Sequence, residues 1–492
     1  MKKIIVAILL VIVSLVAILL IRATTFYNDK QYQVKQPLVP VQLDETNAVR
    51  RFAEAIQIPT VSYDDPARVD YQRFEQLHAH LQQAFPLVHQ QAELTKINDY
   101  SLVYYLPGTN PELKPALFMG HMDVVPVDDS TLSQWSQPPF SGLVQDDVIW
   151  GRGTIDDKVT VMALMEATEQ LLKNDFQPQR SIYLAFGHDE EIGGEQGAKA
   201  IAAYFAKQHI QFEFVLDEGG AVTKGLMAGV QPAVAMVGVA EKGFVNFRLT
   251  VDAEGGHSSQ PPKNTAVGIL SQAIVNVENS PFDSKLDFIQ QTFDAVGYYT
   301  PLSSRLPMAN LWLLSPVVEN VLLDSPSTAA GIHTTIAPTM LQGSSKSNVL
   351  PSQATAVVNF RILPGDSINS IEQHIIRAID DPRVKVDSFM GNEPSRVSPT
   401  DSLGFKLIEQ TIRRLDKDIL VAPYLVQGGT DSKYYYGLSD NVYRFMMVGL
   451  DPISIKQFHG INEQIPVADY LRAIQFYYAL LKQTAENQVV SH

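Results

Sequence analysis

In the first half of the chain, short runs of apolar residues alternate with segments in which apolar residues recur every three or four positions. The short runs are bounded by turn residues and predict strands, whereas the periodic segments predict amphipathic helices. The predicted strands are 101–106, 116–119, 181–186 and 212–216, and the predicted helices between them are 159–172 and 195–206. This alternation predicts an α/β fold on a mainly parallel sheet, which binds ligands beyond the C-terminal ends of its strands.

The pattern changes near Val237. Segments 244–251 and 354–362 alternate between apolar and polar residues, as half-buried strands do, and 265–277 has helical spacing. A Pro- and Ser-rich stretch separates them, and the α/β alternation resumes after Pro364. The sequence therefore predicts an α/β catalytic domain in two parts that is interrupted by a smaller α+β domain. The boundaries are 44–236 for the first part, 237–364 for the inserted domain and 365–492 for the second part.

The N-terminus carries an apolar run. Lys2 and Lys3 precede the 18 positions 4–21, all of which are apolar except Ser14. A run of this length can cross a bilayer as a helix, and the two lysines favour a cytoplasmic N-terminus. We expect a membrane anchor over 1–22, a polar tether over 23–43 and a catalytic body on the non-cytoplasmic side, which is the periplasm in a bacterium. A cleaved signal peptide is the alternative, although Arg22 makes a poor cleavage site.

The composition of the chain excludes several kinds of binding site and catalytic group. The 492 residues carry a formal net charge of -15, which argues against binding to nucleic acid. The chain has no cysteine, so disulfides, thiolate metal sites and thiol nucleophiles are excluded. Any metal ion must be bound by His, Asp and Glu side chains.

Four motifs lie at predicted junctions between strands and loops. His121 and Asp123 are two positions apart on an extended segment, so the carboxylate can orient the imidazole. Each motif alone has a structural explanation: a loop histidine, an N-cap for Asp156 or Asp157, or a solvated charged turn. The motifs are His121-Met122-Asp123, Gly151 to Lys158, Asp189-Glu190-Glu191 and Asp217-Glu218.

A second imidazole, His459, lies far downstream in the segment Phe458 to Glu463. Two imidazoles and three sets of carboxylates at one end of a sheet suit a pair of divalent ions. Mixed imidazole and carboxylate ligands favour zinc, with manganese or cobalt as alternatives.

These motifs resemble those of the zinc-dependent aminoacylase and carboxypeptidase superfamily, and most of all its branch of carboxypeptidase S and N-fatty-acyl-amino-acid synthase/hydrolase. The resemblance is carried by Gly120 to Pro126, Gly151 to Lys158 and Phe458 to Glu463, and it spans about residues 46–481. It implies a zinc-peptidase catalytic domain with an inserted lid of the type through which relatives dimerise. A homodimer through the lid is therefore expected as one option.

The resemblance also implies roles. His121 would bind one ion, His459 the other, and Asp156 both. Glu191 would complete the coordination shell of one ion, and one member of the Asp217–Glu218 pair would complete that of the other. Either Asp217 or Glu218 could be this ligand. Glu190 would be the general base and Asp123 the partner of His121.

In the lid, Gly255 to Ser259 resembles the histidine motif of the superfamily, which implies that His257 stabilises the oxyanion. Substrate contacts are implied for Asn348, Arg361 and the loop Gly429, Thr430, Asp431 and Ser432. Arg361 suits a bidentate contact with a carboxylate, although it could equally be a charge on the surface of a strand.

The expected activity is hydrolysis of an amide or peptide bond adjacent to a free carboxylate, in a small peptide or an N-acyl amino acid. A water that both ions activate would attack the carbonyl carbon, and Glu190 would take its proton. A dipeptidase or a deacetylase on the same scaffold is one alternative. A membrane-anchored binding protein without catalysis is the other.

Overall fold

The computed structural model describes residues 1–27, 37–227 and 229–486. The first half contains α1 (Lys2–Thr25), α2 (Glu45–Ile56), α3 (Tyr71–Ala84), α4 (Pro86–Gln91), β1 (Glu93–Ile97), β2 (Ser101–Leu106), β3 (Ala116–His121), β4 (Leu143–Gln145), β5 (Val148–Trp150), α5 (Lys158–Lys173), β6 (Ile182–Gly187), α6 (Ala198–Lys207), β7 (Val215–Asp217), β8 (Val222–Thr223) and β9 (Val234–Glu241). The predicted strands and helices of this region are all present, with ends displaced by a few residues.

The remaining elements complete the fold. The central part contains β10 (Gly243–Asp252), β11 (Gly256–His257), α7 (Ala266–Glu278), α8 (Asp287–Val296), α9 (Leu302–Ala309), α10 (Leu311–Leu323), α11 (Pro326–Ala329), β12 (Thr335–Gln342), β13 (Val349–Leu350), β14 (Gln353–Ile362), α12 (Ile368–Ile379) and β15 (Val384–Asn392). The last part contains α13 (Leu403–Leu415), β16 (Leu420–Val426), β17 (Val442–Arg444), β18 (Gly449–Leu450), β19 (Gln464–Pro466) and α14 (Val467–Ala485).

A ten-stranded sheet forms the core of the α/β part. Its order is β1-β2-β6-β3-β7-β17-β9-β8-β18, and β16 pairs with β9. Five neighbouring pairs are parallel and four are antiparallel, and the central run β6-β3-β7-β17 is parallel throughout. The sheet is thus mixed, and the predicted α/β class is confirmed.

Helices cover both faces of this sheet. On β3, Phe118 points into the apolar cluster that includes α5 and α14, whereas Leu117 and Met119 point into the cluster that includes α6. A strand buried on both faces has no polar face to alternate, which explains why the sequence shows these strands as continuous apolar runs.

The second sheet has four antiparallel strands in the order β12-β14-β10-β15. Val245, Phe247 and Leu249 alternate inward and pack with α7 and α12 in one apolar cluster. β9 belongs to the large sheet, and β15 pairs with β10. From these pairings we propose lid boundaries near 243 and 392, in place of the predicted 237 and 364.

Residues 287–329, which the sequence shows only as part of a Pro- and Ser-rich stretch, form the four helices α8 to α11. α8 packs against β16 of the large sheet, and α9 packs against α1. Pro307 and Pro316 lie inside α9 and α10. Proline within a periodic segment indicates a helix end, which is why sequence periodicity does not reveal α9 and α10.

Among the described residues, α1 is the one helix long and apolar enough to cross a membrane, and a signal sequence would pass the same test. Its C-terminal end docks on the body of the protein. Tyr27 is buried and its ring packs against Gly297, where an added Cβ would lie 2.7 Å from the ring. Residues 28–36 of the predicted tether lie outside the described residues.

Candidate active site

Three neighbouring parallel strands end at the same edge of the large sheet. β3 lies between β6 and β7, and it ends at His121. β7 ends at Asp217, and β6 is followed by a 3₁₀ turn over Glu190–Ile192. Because adjacent strands are only about 4.8 Å apart, their C-terminal ends bring these side chains together.

Asp156 lies between two imidazoles. Its Oδ1 is 3.0 Å from Nε2 of His121, and its Oδ2 is 3.0 Å from Nε2 of His459. Nε2 of His459 also lies 3.1 Å from Oε2 of Glu191. His121 and Asp156 are buried, whereas the side chain of His459 is 57% exposed. The cluster therefore opens to solvent on the His459 side.

The donor set fits divalent metal ions. Ligand atoms of His121, Asp156 and Glu191 all lie within 4.8 Å of one another. The distances of 3.0 and 3.1 Å are close to the separation of about 3.4 Å between ligands in tetrahedral zinc sites. Oε1 of Glu191 is buried and makes no hydrogen bond, as expected of an atom that faces a cation.

Asp123 connects His121 to the turn that carries Glu190 and Glu191. Nδ1 of His121 lies 3.1 Å from the carbonyl oxygen of Asp123 and 3.3 Å from its carboxylate. The carboxylate accepts the peptide N–H groups of Glu190 and Glu191, each at 3.1 Å. The hydroxyl of Ser62 donates to the same carboxylate at 2.7 Å. Burial alone would raise the pKa of Asp123, but the hydrogen bond and charge of His121 outweigh it and lower the pKa. One ionised carboxylate thus orients both an imidazole and two candidate site residues.

The neighbours Asp217 and Glu218 have different surroundings. Both oxygens of Asp217 accept peptide N–H groups, from Glu218 at 3.0 Å and from Ser432 at 2.8 Å. Burial raises the pKa of Glu218 well above its usual value, and the charges of Asp156, Asp217 and Asp157 raise it further. Burial raises the pKa of Asp217 as well. A cation beside this pair would relieve the repulsion, so both carboxyls are candidate ligands.

The neighbouring carboxylates also raise the pKa values of the two imidazoles. Hydrogen bonds to Asp156 and Glu191 raise the pKa of His459 to about 10. Burial would lower the pKa of His121, yet its bonds to Asp123 and Asp156 raise it well above the usual value. A metal ion at these nitrogens must therefore displace protons, which makes metal binding depend on pH.

Glu190 lies at the edge of the cluster. Burial raises the pKa of its carboxyl well above the usual value, against the opposing charge of His121, and Asp431, Glu191 and Asp156 raise it further. A carboxyl whose pKa is shifted toward neutrality can both accept and return a proton. Its environment therefore suits general acid–base chemistry.

The loop Gly429 to Ser432 is mostly engaged in internal bonds. The peptide N–H and the hydroxyl of Thr430 both donate to Glu241 at 3.0 Å, and Thr430 Oγ1 also lies 2.5 Å from Ser432 Oγ. Both oxygens of Asp431 are buried without a hydrogen bond, and Gly429 is exposed. Gly429 is thus the member of this loop that a substrate could reach without rearrangement.

The candidate residues of the predicted lid lie on exposed surface. His257 is exposed on β11 and its Nδ1 lies 2.8 Å from Ser259 Oγ, while Asn348 is exposed just before β13. Arg361 is exposed on β14 and its guanidinium lies 5.7 Å from the ring centre of Phe244. Within the described ranges, no hydrogen bond or ion pair joins these three side chains to the Asp156 cluster.

Glu463 is a residue of the site that the sequence did not single out, although it closes the motif around His459. Its Oε1 accepts the peptide N–H groups of Gly153 and Ile155 at 2.9 and 2.8 Å and that of Asp156 at 3.3 Å. Its Oε2 lies 2.6 Å from Nη1 of Arg152. Glu463 thereby fixes the loop of Asp156 to the loop of His459.

Replacing Glu463 with Gln should lower the free energy of unfolding by about 3 kcal/mol, because Arg152 would be left buried without its ion pair. Burial raises the pKa of Glu463 to about 7, so the measurement belongs at pH 8, where the carboxylate is ionised. Urea unfolding of both proteins measures the difference.

Glu54→Gln is the matched control, because its ion pair with Arg50 is exposed and should contribute less than about 1 kcal/mol. An equally small loss in the Glu463 variant would show that its bonds do not hold the loop.

Comparison with known proteins is consistent with this geometry. "Probable carboxypeptidase S-like 2" of Dictyostelium discoideum is 40% identical over 93% of this chain and 91% of its own length. "N-fatty-acyl-amino acid synthase/hydrolase PM20D1" of Xenopus tropicalis is 35% identical over 98% of this chain and 95% of its own. The predicted resemblance to this branch is confirmed.

Solved structures share the fold. The M20 family metallo-carboxypeptidase Sso-CP2 of Sulfolobus solfataricus superposes with a TM-score of 0.64 at 19% identity, covering 90% of this chain and 99% of its own. Human carnosine dipeptidase 1 superposes with a TM-score of 0.61 at 16% identity, covering 90% of this chain and 96% of its own. The family and the curated relatives identify a hydrolase and support metal-dependent cleavage of amide bonds. Since the family model matches residues 117–483, the chain belongs to the peptidase family M20/M25/M40.

Proposed function

We propose that the protein is a dinuclear zinc hydrolase that cleaves an amide or peptide bond next to a free carboxylate. The observation that carries the proposal is the position of Asp156, whose two oxygens each lie 3.0 Å from a different imidazole. A carboxylate in this position can bridge two ions. The names of the curated relatives suggest the substrates: peptides with a free carboxyl end and N-acyl amino acids.

Each ion would have its own set of ligands besides Asp156. Glu191 lies beside His459 and would share the ion of that histidine. Glu218, whose surroundings favour a cation, would join His121. Zinc is the ion that this donor set favours, and manganese or cobalt could replace it.

Bound ions would supply Lewis acidity and lower the pKa of the attacking water. Glu190 would accept the proton of that water and return it to the leaving amine. Asp123 would hold His121 and the peptide of Glu190 in position through the bonds described above. His257 would donate a hydrogen bond to the developing oxyanion.

Recognition of the substrate carboxylate would fall to Arg361, with Asn348 and the Gly429 to Ser432 loop beside it. His257 and Arg361 both lie on the exposed lid, so the lid must close or a second copy of the chain must bring them to the cluster. We also propose that α1 remains as a membrane anchor with the catalytic body on the non-cytoplasmic side.

The activity can be tested with the full chain loaded with zinc. One substrate panel holds N-blocked peptides with a free carboxyl end, and the other holds N-acyl amino acids of increasing length, each beside its carboxyl-amidated twin. We expect amine release that requires the free carboxylate and stops with a chelator. No release from a zinc-loaded protein would favour the non-catalytic binding protein.

Arg361→Met should lower kcat/KM for the free acids by about 10- to 150-fold, the value of a hydrogen bond to a charged group, and leave the amidated twins unchanged. Arg248→Met is the matched control, because Arg248 is exposed on the neighbouring strand and lies over Phe389 in a similar way. If both variants behave alike, Arg361 does not bind the carboxylate.

A further inference from the structure

Helix α10 exposes an apolar face. Trp312 is 59% exposed, Val317 52% and Val321 64%, and Leu313 and Pro316 are exposed between them. Apolar residues that are exposed singly are normal on soluble proteins, but a contiguous apolar face marks a surface that contacts something.

This face begins beside the C-terminal end of α1. The side chain of Asn310, which directly precedes α10, donates to the carbonyl of Leu19 at 3.1 Å. The guanidinium of Arg22 donates to the carbonyl of Ala309 at 3.1 and 3.2 Å. The start of α10 is thereby held at the level of residues 19–22 of the N-terminal helix.

That level coincides with one boundary of the hydrocarbon layer if α1 spans a membrane. The 18 residues 4–21 of the apolar run form about 27 Å of helix, close to the hydrocarbon thickness of about 30 Å. Arg22 ends the run, and Phe26 and Tyr27 follow it. Trp312 would lie in the same interfacial zone, where Trp and Tyr side chains concentrate.

The charge of α10 indicates what kind of contact it makes. The helix contains no Lys or Arg, and its one charged residue, Glu319, is half-buried in the third turn. The exposed polar residues, Asn320 and Asp324, come only at the third turn and just after the end. In the first two turns, next to α1, the exposed residues are all apolar, and Ser315 is half-buried. An apolar surface of this kind gains from burial in acyl chains and does not need anionic lipid.

We infer that α10 is a second membrane-contacting element, which lies in the interface beside α1 with its N-terminal turns deepest. The inference goes beyond the proposed amidase and rests on the proposed anchor. It would also orient the site, since Gln427, which precedes the Gly429 loop, donates to the carbonyl of Ser327 in α11 at 2.7 Å. The face that contacts lipid is thus connected to the substrate loop.

The test uses the full chain in phosphatidylcholine nanodiscs, with plain or brominated acyl chains. Bromine quenches tryptophan fluorescence only at close range. The fluorescence of Trp312 is obtained by subtracting the emission of the Trp312→Phe variant from that of the wild type. We expect the Trp312 component to lose most of its intensity in brominated lipid. Val317→Glu should relieve the quenching, whereas Ile376→Glu, at an exposed position on α12, should not.

Equal Trp312 emission in both lipids would overturn the inference, and a cross-link between two copies through position 317 would then assign the face to self-association. Whether the N-terminal anchor is retained is measured separately, by intact-mass spectrometry of the chain extracted from membranes. If that mass shows cleavage near residue 22, the same quenching measurement is made on the mature chain with vesicles. Loss of the anchor and failure of α10 are therefore distinguishable.

Discussion

Glu190→Gln should lower kcat by about 10²- to 10⁴-fold, the usual contribution of a general base, while the metal content stays unchanged. Gln has the same shape, so the peptide N–H of residue 190 can still donate to Asp123 at 3.1 Å and hold the turn in place. The amide side chain of glutamine, however, cannot take a proton from water. Steady-state kinetics on a cleaved substrate, with metal analysis of the same samples, measures both quantities.

Glu195→Gln provides the control, because Glu195 follows in the same connection before α6 and is exposed in an ion pair with Lys199. That variant should behave as wild type. Activity retained in the Glu190 variant would remove the residue from the proton transfer. Loss of metal from it would instead make Glu190 a ligand.

Asp156→Asn should reduce the bound metal from the proposed two ions per chain to one or none and lower kcat/KM by more than about 100-fold. Replacing a residue that hydrogen-bonds to a metal ligand already weakens metal binding by about 10- to 100-fold, and a bridging ligand should matter more. The amide leaves a single acceptor oxygen where the carboxylate offers two, one toward each imidazole. Metal analysis after dialysis against a weak chelator, beside the kinetics, measures the effect.

Asp146→Asn is the control, since Asp146 lies in the turn between β4 and β5 at φ 52°, a conformation that Asn tolerates well. Two ions retained by the Asp156 variant would contradict a bridging role. A wild-type enzyme that binds one ion at full activity would contradict the dinuclear proposal.

Much of the fold follows from local pattern. β2 is Ser101–Leu106, as the apolar run predicts, and Asp44 caps α2 by accepting the peptide N–H of Asn47. The strand ends at His121 and Asp217 were visible as the points where apolar runs meet polar residues. These features depend on neighbours in the chain, which is why periodicity and capping reveal them.

The helices α8 to α11 show where local pattern fails. α8 packs against β16 and α9 against α1, elements that lie more than one hundred residues away in sequence, while α10 packs on α9 and α11. Proline inside α9 and α10 removes the periodic signal that a self-sufficient helix would show. The exposed apolar face of α10 lies beside α1 only because the chain folds so that Asn310 donates to the carbonyl of Leu19.

By itself, the sequence determined the α/β class, the interruption by a second sheet, the anchor-like N-terminus and the residue types at the strand ends, because each of these depends on short-range order. Only the tertiary structure showed which of these side chains lie next to each other. It places His459 opposite Asp156 across 303 residues of chain, and it brings the peptide N–H of Ser432 to Asp217, 215 residues earlier in the sequence. Contacts at such separations depend on how the whole chain packs, and no local pattern encodes them.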